Sequence, residues 1–263
     1  MRQFKTDILS NISIGSGYYE LTFKWDSPLN IPLPGQFLAV RVTEASIPLL
    51  RRPFAFSRFN NNSNNNTASI IYQKRGPATE ILSNKKVPDK IDFIAPIGNT
   101  FLEKIDITHN YILAAGGIGL GPMLFLGEYL KEHGANVKFI FGCRNKSLIP
   151  DCAQLKELDA VICTDDGSTG FKGTLVDYLN TLNIKTDINS SSELYCCGPE
   201  AMLKACHYFS ESKNILCRVS MEQIMACSIG ACMGCVIKVN TEKEFARVCK
   251  DGPVFNSREI VWT

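Results

Sequence analysis

A chain of 263 residues, 45% hydrophobic and 21% charged, has room for two domains plus an appendage and for a sizeable core. Its formal net charge of +2 gives no electrostatic reason to expect nucleic acid or an anionic membrane as a partner, and no apolar run is long enough to span a bilayer. The polar opening Met1-Arg-Gln-Phe-Lys-Thr-Asp7 is unlike a signal peptide, so the eleven cysteines point to a reducing cytoplasm rather than a disulfide framework.

In chain order, residues 1–105 read as short strands between turn signals. Tyr18–Lys24, Gln36–Val42 and Ser69–Tyr72 are the clearest, with Pro32, Pro34-Gly35 and Pro48 as punctuation, and the spacing predicts an antiparallel barrel or sandwich. The asparagine-rich run Asn60–Asn66 reads as a polar hairpin tip. The rhythm changes near residue 106. An apolar strand, Tyr111–Ala115, enters a glycine-rich turn, and a helical stretch runs on to about His133. Strands at Val137–Phe141, Ala160–Cys163 and Leu194–Cys197 alternate with a helix near Leu175–Leu182 and predict a doubly wound parallel α/β sheet over 106–212. Residues 213–263 hold a cysteine cluster among short strands such as Val236–Val239.

Four segments of this frame carry chemistry. Gly116-Gly117-Ile118-Gly119-Leu120-Gly121-Pro122 stands where a strand hands over to a helix. A diphosphate needs close backbone approach and unpaired helix N–H groups there, although tight packing explains such a turn equally. Cys197-Gly198-Pro199 ends a later strand at the same sheet edge. It either puts a soft side chain against a nicotinamide ring or is a plain turn with Pro199 opening a helix. Thr164-Asp165-Asp166-Gly167-Ser168 meets cofactor hydroxyls or is a turn. In the barrel half, Arg51-Arg52-Pro53-Phe54-Ala55-Phe56-Ser57 offers a guanidinium suited to a diphosphate and an aromatic suited to a flavin. Downstream, Tyr72-Gln73-Lys74-Arg75-Gly76-Pro77-Ala78-Thr79 has a glycine, small residues and a hydroxyl in a turn, again apt for phosphate; a basic strand edge and an ordinary loop are the other reading of both segments.

The cysteine cluster is the most specific signal. Cys227-Ser-Ile-Gly-Ala-Cys232-Met-Gly-Cys235 followed by Cys249 is the plant-type C-x4-C-x2-C…C spacing of a 2Fe–2S cluster. Gly230 and Gly234 let the loop adopt backbone conformations that a Cβ opposes and turn N–H groups toward sulfur. A structural zinc site is the alternative, but zinc cysteines come as two C-x2–4-C pairs, and here three thiols crowd together with the fourth alone.

The order of Arg-Pro-aromatic motif, glycine-rich turn, Cys-Gly-Pro and cysteine cluster resembles the ferredoxin–NADP reductase superfamily. Within it the chain is most similar to the electron-transfer subunits of class 1B dihydroorotate dehydrogenases. The similarity spans essentially the whole length and is sharpest over Met225–Cys235 and Arg247–Phe255. The resemblance implies an FAD-binding barrel, an NAD-binding α/β domain and a C-terminal 2Fe–2S module. Arg52, Pro53, Phe54 and Ala55, Ile70, Ile71 and Tyr72, and Gly76, Pro77, Ala78 and Thr79 would then contact FAD. Gly116, Gly117, Gly119, Gly121 and Pro122, with Cys197, Gly198 and Pro199, would receive NAD as co-substrate. Cys227, Cys232, Cys235 and Cys249 would ligate the cluster.

It also implies a partner, an FMN-containing catalytic subunit that oxidises dihydroorotate in pyrimidine biosynthesis, in a heterotetramer of two plus two. A stand-alone or differently partnered NAD(P)H reductase would use the same modules. The superfamily motif usually carries serine or threonine where Ala55 stands; Ser57, two residues on along the strand, faces the same side and is the nearest substitute.

Overall fold

Every second side chain from Phe4 to Ile8 is buried on β1 (Arg2–Ser13), the alternation of a strand with one face on a core. The computed structural model describes residues 1–27, 30–62, 65–102, 104–183 and 192–263, so Ser63 and Asn64 of the expected hairpin tip lie outside the described residues. β2 (Tyr18–Lys24), β3 (Phe37–Arg41), β4 (Arg52–Asn60) and β5 (Thr67–Gln73) follow, then the short helix α1 (Pro77–Ser83) and β6 (Lys90–Ile97). They form a closed barrel in the order β1-β2-β5-β4-β3-β6, with every neighbouring pair antiparallel. Closure removes the exposed strand edges that a sandwich would have kept. Leu21, Phe23, Phe56, Ile70 and Phe93 fill its interior with no exposure at all, and each such burial contributes about 2 kcal/mol.

The second sheet is built on β7 (Asn110–Gly116), whose side chains are buried continuously from Tyr111 onward. A strand covered on both faces reads this way. It is followed by α2 (Leu120–Glu132), β8 (Asn136–Cys143), α3 (Ala153–Glu157), β9 (Val161–Thr164), β10 (Phe171–Lys172), α4 (Leu175–Thr181), β11 (Ser192–Cys197), α5 (Glu200–Lys213) and β12 (Leu216–Ser220). Ile112, Ala114 and Cys196 pack with α4 and α5, while Tyr111, Leu113, Ala115 and Tyr195 pack with α2 and α3. The sheet is therefore wound on both faces, as expected.

The last strands are β13 (Val236–Lys238), β14 (Phe245–Arg247) and β15 (Val254–Asn256). β13 and β14 form a separate hairpin, but β15 returns to the large sheet, whose order is β10-β9-β8-β7-β11-β12-β15. Only β15 runs antiparallel there. Both β12 and β15 lie beyond residue 212. β12 and β15 hydrogen-bond into the sheet, so the cysteine segment is an excursion between two of its strands.

Two side chains, among other contacts, tie the barrel to the rest. Arg58 on β4 makes a forked ion pair with Glu128 on α2, its Nε lying 3.1 Å from each carboxylate oxygen, and its other end reaches Glu157 at 3.2 Å. Asn99, just past β6, takes the Val254 N–H at 3.0 Å and returns its amide to the Val254 carbonyl at 2.8 Å. Asn99→Ala removes both bonds and leaves buried backbone groups of Val254 unpaired. Denaturant titration should show a loss of about 2 kcal/mol; an unchanged midpoint would mean that Asn99 is not a joint.

Candidate functional site

The C-terminal ends of β7, β11 and β12 face the mouth of the barrel. A cleft lies between them, enclosing about 1100 Å³ including its open mouth. Open α/β sheets bind ligands at this edge. β4 lends Pro53, Phe54 and Ala55 to one wall, and β5 lends Ile71 and Tyr72. The Phe54 and Tyr72 rings meet edge to face at 5.8 Å. Gly119, Pro122, Cys197 and Gly198 line the facing wall. The sequence motifs from both halves of the chain thus meet in one cavity.

Several of the expected residues lie off its wall. Ile70 points into the barrel core against Phe56 and Leu21, as the alternation on β5 requires. Ala78 is buried in the same core. Gly76 through Thr79 is a helix N-terminus rather than a turn: Gly76 caps α1, and the Thr79 hydroxyl accepts the Arg75 and Gly76 N–H groups and donates to the Gly76 carbonyl. Arg52 lies on the neighbouring cavity with Leu50, Pro199 and Glu200, and donates to the Leu50 carbonyl at 2.7 Å. Pro199 caps α5 from outside instead of opening it, since the helix begins at Glu200. Ser57 does not replace the missing hydroxyl at Ala55. It is fully buried beneath α2 opposite Gly121, and its Oγ has no hydrogen-bond partner among the described residues.

The glycine-rich turn has two separable roles. A Cβ on Gly119 would stand 2.1 Å from the Cys197 carbonyl oxygen, and one on Gly116 would stand 2.5 Å from the Met202 sulfur. Those two glycines let the turn after β7 press against Cys197-Gly198. Gly117 is different: its φ of +54° is left-handed and its surroundings are open. No side chain caps α2, but a 3-10 turn over Gly117–Gly119 runs into it and the Leu120 N–H bonds the Gly117 carbonyl, so N–H groups available to an anion belong to the start of that turn. Thr164–Ser168 is a turn closed by its own bonds, with Asp166 accepting the Ser168 N–H at 2.9 Å.

Desolvation pushes the Cys197 thiol up to about 12, with Ser220 and Glu222 beside it. It is therefore a neutral thiol at physiological pH and no nucleophile. The segment after β12, Ser220 through Met225, lines the cleft and was missed by motif reading. One signal for it was available: the alternating run Leu216–Ser220 is a strand ending at this same edge, immediately before Cys227.

That segment leads straight into the cysteine loop. The N–H of Cys232 donates to the Cys227 sulfur, that of Gly234 to the Cys232 sulfur and that of Cys249 to the Cys235 sulfur, each at 3.4 Å. Left-handed residues at Ser228, Gly230 and Met233 curl the loop so that its amides face inward. Gly234 is not left-handed, and a Cβ there would meet the Cys232 sulfur at 3.4 Å, an ordinary contact, so its part is the N–H it gives that sulfur. Arg247 anchors the loop, donating to the Gly230 carbonyl at 3.0 Å while pairing with Asp251 at 3.0 Å. Desolvation pushes the Cys227 thiol up, but the N–H groups of Ile229 and Cys232 outweigh it and bring the thiol down to about 6. Cys249, pushed up to about 12 by burial and by Cys235 beside it, behaves oppositely.

This donor set fits an iron–sulfur cluster better than zinc. Among the described residues no three ligating side chains converge as one ion at about 2.3 Å from each sulfur would require. The thiols instead form two pairs, Cys227 with Cys232 and Cys235 with Cys249, suited to two irons. Cys235 and Cys249 are buried, whereas Cys232 is exposed.

Comparison with known proteins agrees. A family profile described as "Iron-sulfur cluster binding domain of dihydroorotate dehydrogenase B" matches residues 222–261. A protein of Caldanaerobacter subterraneus subsp. tengcongensis named dihydroorotate dehydrogenase B (NAD(+)), electron transfer subunit, is 36% identical, with 99% of each chain covered. The chain belongs to this family. A second member, from a Geobacillus species, is 35% identical with the same coverage. Among solved structures, an NADH-dependent reduced ferredoxin–NADP oxidoreductase described in connection with flavin-based electron bifurcation superposes with a TM-score of 0.83. It shares 26% identity over 98% of this chain and 90% of that one. Phthalate dioxygenase reductase, at 17% identity and a TM-score of 0.62 over 91% and 87% of the two chains, shares the fold. As in the other dihydroorotate dehydrogenase B electron transfer subunits, the chain is an oxidoreductase component. No helix among the described residues is long and apolar enough to cross a membrane.

Proposed function

We propose that this chain carries electrons from an FMN-containing, dihydroorotate-oxidising catalytic subunit to NAD+, by way of a 2Fe–2S cluster and FAD, as a step of pyrimidine biosynthesis. The observation that carries the reading is the continuity of Ser220–Met225, which floors the cleft and runs without a break into the cysteine loop. A flavin site and a cluster site joined by one short segment make an electron path within a single chain.

FAD, when bound, supplies the exchange between one-electron and two-electron carriers. The chain's own residues bind and orient. Pro53, Phe54, Ala55, Ile71 and Tyr72 offer an apolar wall for a flavin ring, with Thr79 at the end of that wall. Gly117 and the start of the turn that leads into α2 suit the diphosphate of NAD, and Cys197, held as a neutral thiol, packs against the nicotinamide without donating a proton. Cys227, Cys232, Cys235 and Cys249 hold the cluster. Residues 1–105 act as the flavin unit, the sheet as the NAD unit and the excursion after β12 as the cluster unit.

The exposed Cys232 stands on a rim with Ile229 and Met233, 43% and 53% exposed. An exposed cysteine on an apolar rim suits docking of the catalytic subunit in a two-plus-two heterotetramer in the cytoplasm.

The test is purification from the native cell, with iron, acid-labile sulfide and flavin assayed and dihydroorotate added to the oxidised complex. The reading requires one FAD and one binuclear cluster per chain and bleaching of the flavin by dihydroorotate. A colourless zinc protein would end it. The likeness to the ferredoxin–NADP oxidoreductase favours a second reading, a reductase serving another partner. A co-purified subunit unable to oxidise dihydroorotate would select that reading.

A further inference from the structure

Among the described residues lining the cleft, Arg75 is the single cation and Glu222 the single carboxylate. They stand apart: Glu222 acts on Cys197, at the foot of the sheet, whereas Arg75 precedes α1 on the barrel. Arg75 is pinned through its backbone. Its N–H donates to the Thr79 hydroxyl at 2.9 Å, and the same hydroxyl fixes Gly76 next to it. Its side chain is left over. Lys74 beside it is tied to Glu80 at 3.0 Å, but no carboxylate among the described residues pairs with Arg75, which is exposed toward the cleft.

Arg75 also lies near Tyr18, which stands beside the glycine-rich turn. The guanidinium's field opposes the desolvation that pushes the Tyr18 phenol up, and the Tyr18 hydroxyl lies 4.0 Å from where a Cβ on Gly117 would stand. An unpaired guanidinium thus shares the cleft with the turn that opens on a left-handed glycine and leads into α2. Arg52, the arginine that motif reading favours for a diphosphate, gives one N–H to the Leu50 carbonyl and lines the neighbouring cavity rather than this cleft.

We propose that Arg75 grips the diphosphate of a dinucleotide held in this cleft. The inference rests on the reading that the cleft takes FAD and NAD. Both carry the same diphosphate, a doubly charged acceptor that matches the planar fork of arginine and that a lysine meets only as a point charge.

The test uses the full-length chain and measures binding, so turnover does not enter. Wild type, Arg75→Ala and Arg75→Lys are stripped of flavin and titrated with FAD by fluorescence quenching; the FAD-loaded proteins are then titrated with NADH. Arg75→Ala should weaken one of the two dinucleotides about 10- to 100-fold, with Arg75→Lys intermediate. Loss of FAD affinity assigns the flavin's diphosphate; loss of NADH affinity with FAD unchanged assigns the nicotinamide dinucleotide's. Equal affinities for both ligands in all three proteins would overturn the proposal. Because the guanidinium has no protein partner, the thermal midpoint of the flavin-free chain should not move in either variant. Wild type that binds neither dinucleotide would instead refute the proposed function itself.

Discussion

Cys232→Ser yields a chain that keeps its FAD and its NADH–dye reductase activity while its iron and acid-labile sulfide fall about tenfold or more. Even groups that merely orient a ligand change metal affinity 10- to 100-fold, so removing a ligating sulfur costs at least as much. The fold should not notice. Cys232 is exposed, and its sulfur is met by the Gly234 N–H and by its neighbour Cys227 rather than by core side chains. Surface changes of this kind stay within about 0.5 kcal/mol. The cleft lies on the far side of Ser220–Met225, so flavin and NADH should bind as before. Metal and sulfide analysis, the visible spectrum and dye reduction read the three properties separately. If flavin and dye reduction disappeared along with the cluster, the division of labour between cleft and cysteine loop would be wrong.

Strands and motifs were legible in proportion to how local their causes are. Tyr18–Lys24 and the helix from Leu175 match the structure nearly residue for residue, because period and capping residues lie within each segment. Thr174 and Asp177 even form a reciprocal cap that fixes where that helix starts. The cysteine spacing was legible for the same reason.

What escaped depends on partners far away in sequence. Ser57 sits on the face that strand alternation predicts, yet α2 covers that face one step beyond Ala55, and only packing reveals where the cover begins. The strand after α5 is short, and its place in the sheet is fixed by β11 on one side and β15 on the other. Arg75 lies inside the Tyr72–Thr79 segment that reads as apt for phosphate, but its own part comes from Lys74 being paired while it is not, and from its place on the cleft wall.

Gly119→Ala should cost much stability, and its cause is steric rather than conformational. Gly119 has φ −61° and ψ −5°, which any residue adopts. The added Cβ would lie 2.1 Å from the Cys197 oxygen, 2.3 Å from its carbonyl carbon and 2.7 Å from the Gly198 nitrogen. These are backbone atoms of β11's last residue and the turn after it, so no side chain can swing aside. The turn after β7 must move away from Cys197-Gly198 as a whole. Overpacking usually costs 1–3 kcal/mol, and a clash with fixed backbone belongs at about 3 kcal/mol or beyond. The same movement displaces the start of α2 from Cys197, so NADH affinity should fall with stability.

Gly117→Ala provides the contrast. There the strain is the left-handed φ of +54°, worth about 1–2 kcal/mol, and nothing lies closer to the new methyl than the Tyr18 hydroxyl at 4.0 Å. Urea midpoints for the two variants, with NADH titrations alongside, separate the effects. If Gly119→Ala proved no more damaging than Gly117→Ala, the contact between the two turns would be slack. The glycines would then serve the ligand alone, rather than first joining the turns that shape its site.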